Sequence, residues 1–321
     1  MRVLPVFCGL LLAANVCAAE GGSKLDWLKT VAFAGHQTDY SGVFIYQYGS
    51  HVETSRMAHV VGVDGEYEKL ESLDGPKHEI IRHHGQVWCY SNHKMVQVNS
   101  QQGQGQFPLL LPDQLSALSE NYQVKEMGVE RVAGFNTQVV LFQPRDNLRY
   151  THKIWVHTDS GLLLKSAVLN DRNQVVEQYA FTQLKLGSEV DRSWTSSSAT
   201  KELPGIGQVK PALSKPAPTI NSGWVVDALP SGFRKTMEVL RPMPGKHAPV
   251  TQLVFSDGLS AISVFIEPAD SDEDDNAEGM SNRGAVNLYH KVVDKHLYNV
   301  VGEVPPKTVM QVLDSVRFNG K

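Results

Sequence analysis

Cysteine is scarce, long apolar runs are missing beyond the first residues, and positive charge is not in excess. Each shortage removes a class of function. The 321 residues contain three cysteines, and two of them, Cys8 and Cys17, fall within the opening "MRVLPVFCGLLLAANVCAAE". That leaves Cys89, which has no partner for an internal disulfide even in an oxidising compartment. It lies in the strand-like "QVWCYS" and reads as a small buried hydrophobe. No later segment approaches the roughly 20 consecutive apolar residues of a membrane-spanning helix. The formal charge of −4 gives no basic footprint for nucleic acid. There is no Walker motif or dinucleotide fingerprint, and no spacing supports a catalytic triad or singles out a carboxylate pair.

What is present begins with a secretory signal. Arg2 supplies the positive n-region, Val3 to Ala14 the short apolar core, and Val16-Cys17-Ala18 or Cys17-Ala18-Ala19 the small residues for cleavage. Val16 stands where a lipid-anchored Cys17 would want a small residue, so the expectation is a soluble exported protein. With 41% hydrophobic and 20% charged residues the rest of the chain is that of a folded globular protein.

"SKLDWLKTVAF" predicts a helix, with Ser23 and Asp26 at capping-box spacing and Leu28, Val31 and Ala32 as its apolar stripe. From Tyr40 the period changes to two. "YSGVFIYQYGS" puts Tyr40, Phe44, Tyr46 and Tyr48 on one strand face and Val43 and Ile45 on the other. Short strands follow, separated by Asp64-Gly65, Asp74-Gly75-Pro76 and His84-Gly85, too close for crossover helices and therefore antiparallel. A short helix is expected near Pro112 in "LPDQLSALSENY", and strands resume from Tyr122 to Leu186. Ser193–Gly223, with Pro204, Pro211, Pro216 and Pro218 and no periodicity, reads as a linker. The last hundred residues regain strand patterning and end in a helix begun by Pro305-Pro306, with Val309, Val312, Leu313 and Val316 as its stripe. The expected divisions are 1–19 signal peptide, 20–192 first domain, 193–222 linker and 223–321 second domain.

Three stretches almost spell a site. In "LVFSDGLSAISVFIEP", residues 253–268, Gly258 to Ile262 resembles a nucleophile elbow without its second glycine, and a strand pattern follows where a helix is required. Asp257-Gly258 fits the centre of a two-residue type I′ turn, which would pair Leu253 with Ile262 and Phe255 with Ser260. "HEIIRHH" places Arg82 where a zinc-protease helix needs its second histidine. The acidic 270–278 run lacks the glycine and glutamate of a calcium loop. No catalytic, cofactor or metal residue is nominated, and the expectation is a binding protein, not an enzyme.

Five phrases in order resemble one family, the periplasmic sigma-E regulatory proteins RseB/MucB. They are "WLKTVAFAGHQTDYSGVFIYQYG", "HVETSRMAHVVGVDGEYEKLESLDGPKHEIIRHHG", "WVVDALPSGF", "LVFSDGLSAISVFIEP" and "VVGEVPPKTVMQVLDSVRF". The resemblance implies an α+β fold: an N-terminal half-open antiparallel β-barrel with helices, lipoprotein-carrier-like, linked to a smaller α+β C-terminal domain. It implies a soluble periplasmic protein with no cofactor. Its partner would be the periplasmic region of a membrane-spanning anti-sigma factor, which it shields from regulatory proteolysis. Lipopolysaccharide or lipoprotein acyl chains are candidate signals, and self-association is a further candidate. Tyr40, Phe44, Tyr46 and Tyr48 are the candidate lipid pocket, although the same face could pack on the two helices. Trp224 and Phe233 are candidate partner anchors, with the core of the small domain as the alternative for each. A periplasmic lipoprotein or lipid carrier is the alternative function.

Overall fold

The computed structural model describes residues 20–83, 85–91, 94–99, 107, 118–195, 219–243, 248–269 and 278–320. The chain opens with helix α1 (Glu20–Gln37), which reaches back past Ser23, so Ser23 lies inside the helix and does not cap it. Strands β1 (Tyr40–Tyr48), β2 (His51–Gly62), β3 (Gly65–Ser72), β4 (His78–His83), β5 (Gln86–Ser91) and β6 (Lys94–Asn99) follow. After the short helix α2 (Leu118–Asn121) come β7 (Tyr122–Val132), β8 (Phe135–Pro144), β9 (Thr151–His157), β10 (Leu163–Leu169) and β11 (Val175–Leu186). The part of the expected helix that begins near Pro112 falls outside the described residues.

These strands form one 11-stranded antiparallel sheet in the order β6-β5-β4-β3-β2-β1-β11-β10-β9-β8-β7. The sheet is not closed, since β6 and β7 are both edges, yet it curls until β7 approaches β11. β1 sits at its centre between β2 and β11, with Phe44 opposite Phe181 and Tyr46 opposite Tyr179. Gly42 permits the bend here: a Cβ would meet the carbonyl of Gln183 and the Phe181 ring, and the register shifts just after it. One face carries the core, with Leu28 and Val31 of α1, Tyr40, Phe44, Phe107, Tyr122, Phe142 and Phe181 all buried in it. Burying one such large apolar side chain stabilises the fold by about 1.5–3 kcal/mol.

The second unit holds β12 (Trp224–Val226), β13 (Arg234–Arg241), β14 (Val250–Ser256), β15 (Ala261–Pro268), β16 (Glu278–Arg283), β17 (Val286–Val293) and β18 (His296–Gly302). Helix α3 (Pro306–Asp314) and strand β19 (Val316–Phe318) end it. Six strands pair in the order β13-β14-β15-β18-β17-β16, and β12 pairs with β19 as a separate ribbon. α3 starts with Pro305 at its N-cap and Pro306 in its first turn, where a missing N–H costs nothing. It buries Val309, Val312 and Leu313 against the sheet. Val316, expected on the same helical stripe, belongs instead to β19 and pairs with Val226. Thr219, at the end of the expected linker, already bridges Val239 of β13; residues 196–218 lie outside the described residues. The architecture is therefore α+β, with an 11-stranded and a six-stranded sheet that each carry a large core of their own.

Candidate functional site

The stretch at 253–268 forms the hairpin β14–β15, but with a wider loop than a two-residue turn. Ser256 pairs with Ala261 and Leu253 with Val264, so Asp257, Gly258, Leu259 and Ser260 all lie in the loop. The shift is two residues, which leaves every side chain on its original face. Its cause is Asp257. One carboxylate oxygen accepts the backbone N–H groups of Leu259 (3.0 Å) and Ser260 (2.9 Å), a side chain-to-backbone closure that replaces the tight turn. Ser260 is 1% exposed, with a strand instead of a helix after it.

The other oxygen of Asp257 leaves its own domain. It accepts Nε of Arg149 at 2.6 Å and the hydroxyl of Tyr122 at 2.9 Å. Both ionic side chains are fully buried. The guanidinium also donates to Asp146 and to the backbone carbonyl of Ser231. Its flat face lies 5.1 Å from the ring of Phe233, and Leu259 packs against the first domain's core. Burial and the Asp257 carboxylate raise the Tyr122 phenol well above its ordinary value. Burial pulls nearby His152 down to about 4, against the opposing pull of Asp257. This end of the seam is dry, with its charges paired.

Between the two ends, Thr308 of α3 donates to the carbonyl of Leu148 (2.9 Å), and the Asn287 amide donates to Val304 O (2.8 Å) and Tyr150 Oη (3.0 Å). At the far end, the turn joining β16 to β17 meets the tyrosine face of β1. Tyr46 stacks on Tyr179 with centroids 4.4 Å apart and lies 5.3 Å from Tyr48. Tyr46 donates to Glu177 (3.1 Å), and the same carboxylate oxygen accepts the N–H of Ala285 (2.9 Å). Gly284 fills the contact with φ +59°; a Cβ there would collide with Glu177 and come within 2.8 Å of the Tyr46 hydroxyl. Arg283 bonds Glu53 at 2.7 Å and lies 5.4 Å over the Tyr48 ring. Burial and the Glu177 carboxylate push the Glu303 carboxyl up to about 7.

The six residues nominated from sequence therefore separate. Tyr40 (0% exposed) and Phe44 (6%) are in the core, with Phe44 against Phe107 and Phe181. Tyr46 and Tyr48 are half-buried beneath the second domain's turn. Phe233 lies under Arg149 in the dry seam. Trp224 stays within the second domain, where it lines a cleft of about 440 Å³ with His296, Tyr298 and Phe318, whose rings stand 5.0–5.7 Å from its own. "HEIIRH" is strand β4, with His83 stacked on Tyr67 at 3.6 Å. Among the described residues no His, Cys, Asp and Glu group could hold a metal ion; His84, His93 and 270–277 lie outside them. Sequence reasoning missed Arg149, Tyr122, Glu177, Arg283 and Glu303, because none belongs to a local motif.

Comparison with known proteins places this architecture. The MucB/RseB N-terminal domain family matches residues 23–199, and the MucB/RseB C-terminal domain family matches residues 218–317. This chain belongs to the MucB/RseB family. It is 32% identical over 317 residues to the sigma factor AlgU regulatory protein MucB of Pseudomonas aeruginosa, covering 98% of this chain and 96% of that protein. It is 25% identical to the sigma-E factor regulatory protein RseB of Escherichia coli K12, covering 96% and 94%. Among solved structures, MucB in complex with MucA(peri) aligns at TM-score 0.72 and 30% identity, covering 92% of this chain and 99% of that one. The Pseudomonas aeruginosa MucA/MucB complex aligns at 0.73 and 30% identity, covering 93% and 100%. A further MucB structure aligns at TM-score 0.60 and 27% identity, covering 93% and 99%. The MucB/RseB match spans both sheets and the seam between them.

Proposed function

We propose that this protein is a periplasmic negative regulator of an envelope-stress sigma factor, acting by binding the periplasmic segment of a membrane-spanning anti-sigma factor and shielding it from regulatory proteolysis. The observation that carries this reading is end-to-end similarity to MucB, a protein solved in complex with MucA(peri). Both solved structures of MucB with MucA align over 92–93% of this chain, at TM-scores of 0.72 and 0.73, which supports the same reading. The signal-like residues 1–19 support export, and among the described residues no helix is long and apolar enough to cross a membrane. As a binding protein it acts without catalytic residues.

A response to lipid is the second part of the reading. We assign it to the outer end of the aromatic face, at Tyr46 and Tyr48, because protein already fills the inner end at Tyr40 and Phe44. A lipid carrier would have no need of the second domain, yet that domain is joined to the sheet by a buried ion pair and by Leu259 in the first core. The test is calorimetric titration of residues 20–321 with the periplasmic segment of the anti-sigma factor from the same genome, with and without lipopolysaccharide. Saturable binding that weakens with lipid is the expected result, as reciprocal linkage requires when the two ligands favour different arrangements. Binding indifferent to lipid removes the sensor and keeps the shield. A folded protein that does not bind returns the carrier to first place.

A further inference from the structure

The cleft beside Trp224 runs along the edge of a strand. Val316, Arg317 and Phe318, the three residues of β19, all line it, although successive side chains of a strand point to opposite faces. A cavity that meets all three therefore lies beside the strand and not above it. Its opposite wall comes from Val293, His296 and Tyr298, around the turn joining β17 to β18. The same edge carries outward-facing backbone groups. Asp227 donates its N–H to Ser315 O (3.3 Å), and Asn319 donates to Gly223 O (2.7 Å). With Val225 opposite Arg317, the bond between these two must fall at Arg317. The alternation of an antiparallel ladder then turns the N–H and C=O of Phe318 to the other edge. Among the described residues no strand pairs with that edge, and Phe318 is 58% exposed.

We propose that the open edge of β19 is the docking strand for an extended segment of the protein partner, which pairs with Phe318 through its backbone and places an apolar side chain in the cleft between Trp224, Tyr298 and Phe318. The inference rests on the partner-binding function proposed above and adds where and how the segment lies. In strand addition the backbone bonds give affinity, and pockets for alternate side chains give specificity. The cleft lining carries two bases and two acids, Lys291 and Arg317 with Asp294 and Asp314, and Lys291 meets Asp314 at 3.4 Å. It has no net charge to hold an anionic head group, and its aromatic wall suits an apolar side chain. An acyl chain would fill the cleft but leave the Phe318 N–H and C=O without a partner. A second copy of this chain fits less well, since the register that pairs all three residues of β19 sets Arg317 opposite Arg317. A neutral or acidic residue of the segment belongs at that position, with apolar residues on either side.

The test separates backbone pairing from ring contact. Phe318→Ala removes the ring and keeps the outward N–H. Phe318→Pro removes both and spares the bonds to β12, which Arg317 and Asn319 make. Affinity of the anti-sigma segment should fall about tenfold in Phe318→Ala and about a further fivefold in Phe318→Pro, with both variants melting near the wild type. The second readout, on the wild-type chain, is NMR exchange of the Phe318 amide proton. The anti-sigma segment should slow it, and so should the blocked peptide acetyl-Thr-Val-Glu-Val-Thr-amide, whereas the same peptide with N-methylated valines should not. If the segment fails to bind while the valine peptide slows the exchange, the partner reading falls and the strand site stands. If the segment binds the wild type and both variants equally, or loses as much in Phe318→Ala as in Phe318→Pro, strand addition is overturned while the partner reading survives. Exchange slowed equally by both peptides, by dodecylphosphocholine, or by raising the protein concentration alone overturns it in favour of a side-chain pocket, an acyl site or a second copy. Exchange that no addition slows overturns it as well.

Discussion

The two ends of the interdomain seam use the same ingredients with opposite exposure. At one end Arg149 and Asp257, with Tyr122, are both 0% exposed. At the other Arg283 and Glu53, with Tyr48, are 60% and 42% exposed. In a dry site an ion pair makes little net gain over apolar residues, but losing one partner strands the other charge. In a wet site water replaces whichever partner leaves, and the pair is worth little. The first end is thus an anchor that holds the domains in register, and the second a contact that can be exchanged.

The largest effect should follow from Asp257→Ala. It leaves the buried Arg149 guanidinium with only the part-exposed Asp146 carboxylate and frees the loop N–H groups that Asp257 caps, a loss of about 3 kcal/mol, at the low end for breaking a buried pair. Chemical denaturation should show this as an earlier transition, and small-angle scattering should show a larger particle if the domains part before they unfold. The double variant Arg149→Met, Asp257→Leu removes both charges and should recover much of the loss. A single variant no worse than the double one would mean that the pair is solvated and that the contrast between the two ends is wrong.

Gly284→Ala comes next and acts on the wet end through shape instead of charge. The position has φ +59°, where a Cβ is strained, and the methyl would press on Glu177 and the Tyr46 hydroxyl. Together these cost about 2 kcal/mol, and the readout is thermal unfolding with Tyr46 ring shifts as the local reporter. An unchanged melting temperature would show that the turn does not rest on the tyrosine face.

How much of this could be read in the sequence depends on the range of the interaction. The alternation in "YSGVFIYQY" fixes β1 and the face shared by Tyr40, Phe44, Tyr46 and Tyr48, because a strand's period is local. What covers that face is not local: α1 and Phe107 cover its inner end, the Gly284 turn its outer end, and the latter comes from more than 200 positions away. The hairpin at Asp257-Gly258 was legible as a turn, but its length was not. A two-residue loop suits the dipeptide, whereas a carboxylate already engaged by Arg149 and Tyr122 stabilises the four-residue one. Val316 was misplaced for a similar reason, since β12 offers it a strand partner just where α3 ends. Both domains were legible through whole phrases shared with a family, and the seam between them was not, because its residues are scattered singly along the chain.

The wet end should also report on pH. Glu303 is held at about 7 by burial and by Glu177, above the ordinary 4.5. The folded state therefore keeps a proton between pH 4.5 and 7 that the unfolded chain has released, and stability falls as pH rises through that window. The charged group acting on it is Glu177, and Tyr46 and Tyr179 stay neutral throughout. Glu303→Gln should flatten this slope in melting temperature against pH. An identical slope in both proteins would place the titrating group elsewhere.

Arg283→Ala should have the smallest effect on the isolated protein. Its pair with Glu53 is more than a third exposed on both sides, and such pairs contribute about 0–1 kcal/mol, screened by salt. Replacing Arg283 removes that contribution and its contact with Tyr48, and leaves Glu53 able to recover water. The expected change in melting temperature is small at low salt and absent at high salt, whereas the Asp257→Ala loss should persist at both. If Arg283→Ala instead unfolds the protein as severely as Asp257→Ala, the two ends are equally fixed, and no part of the seam is free to exchange its contacts.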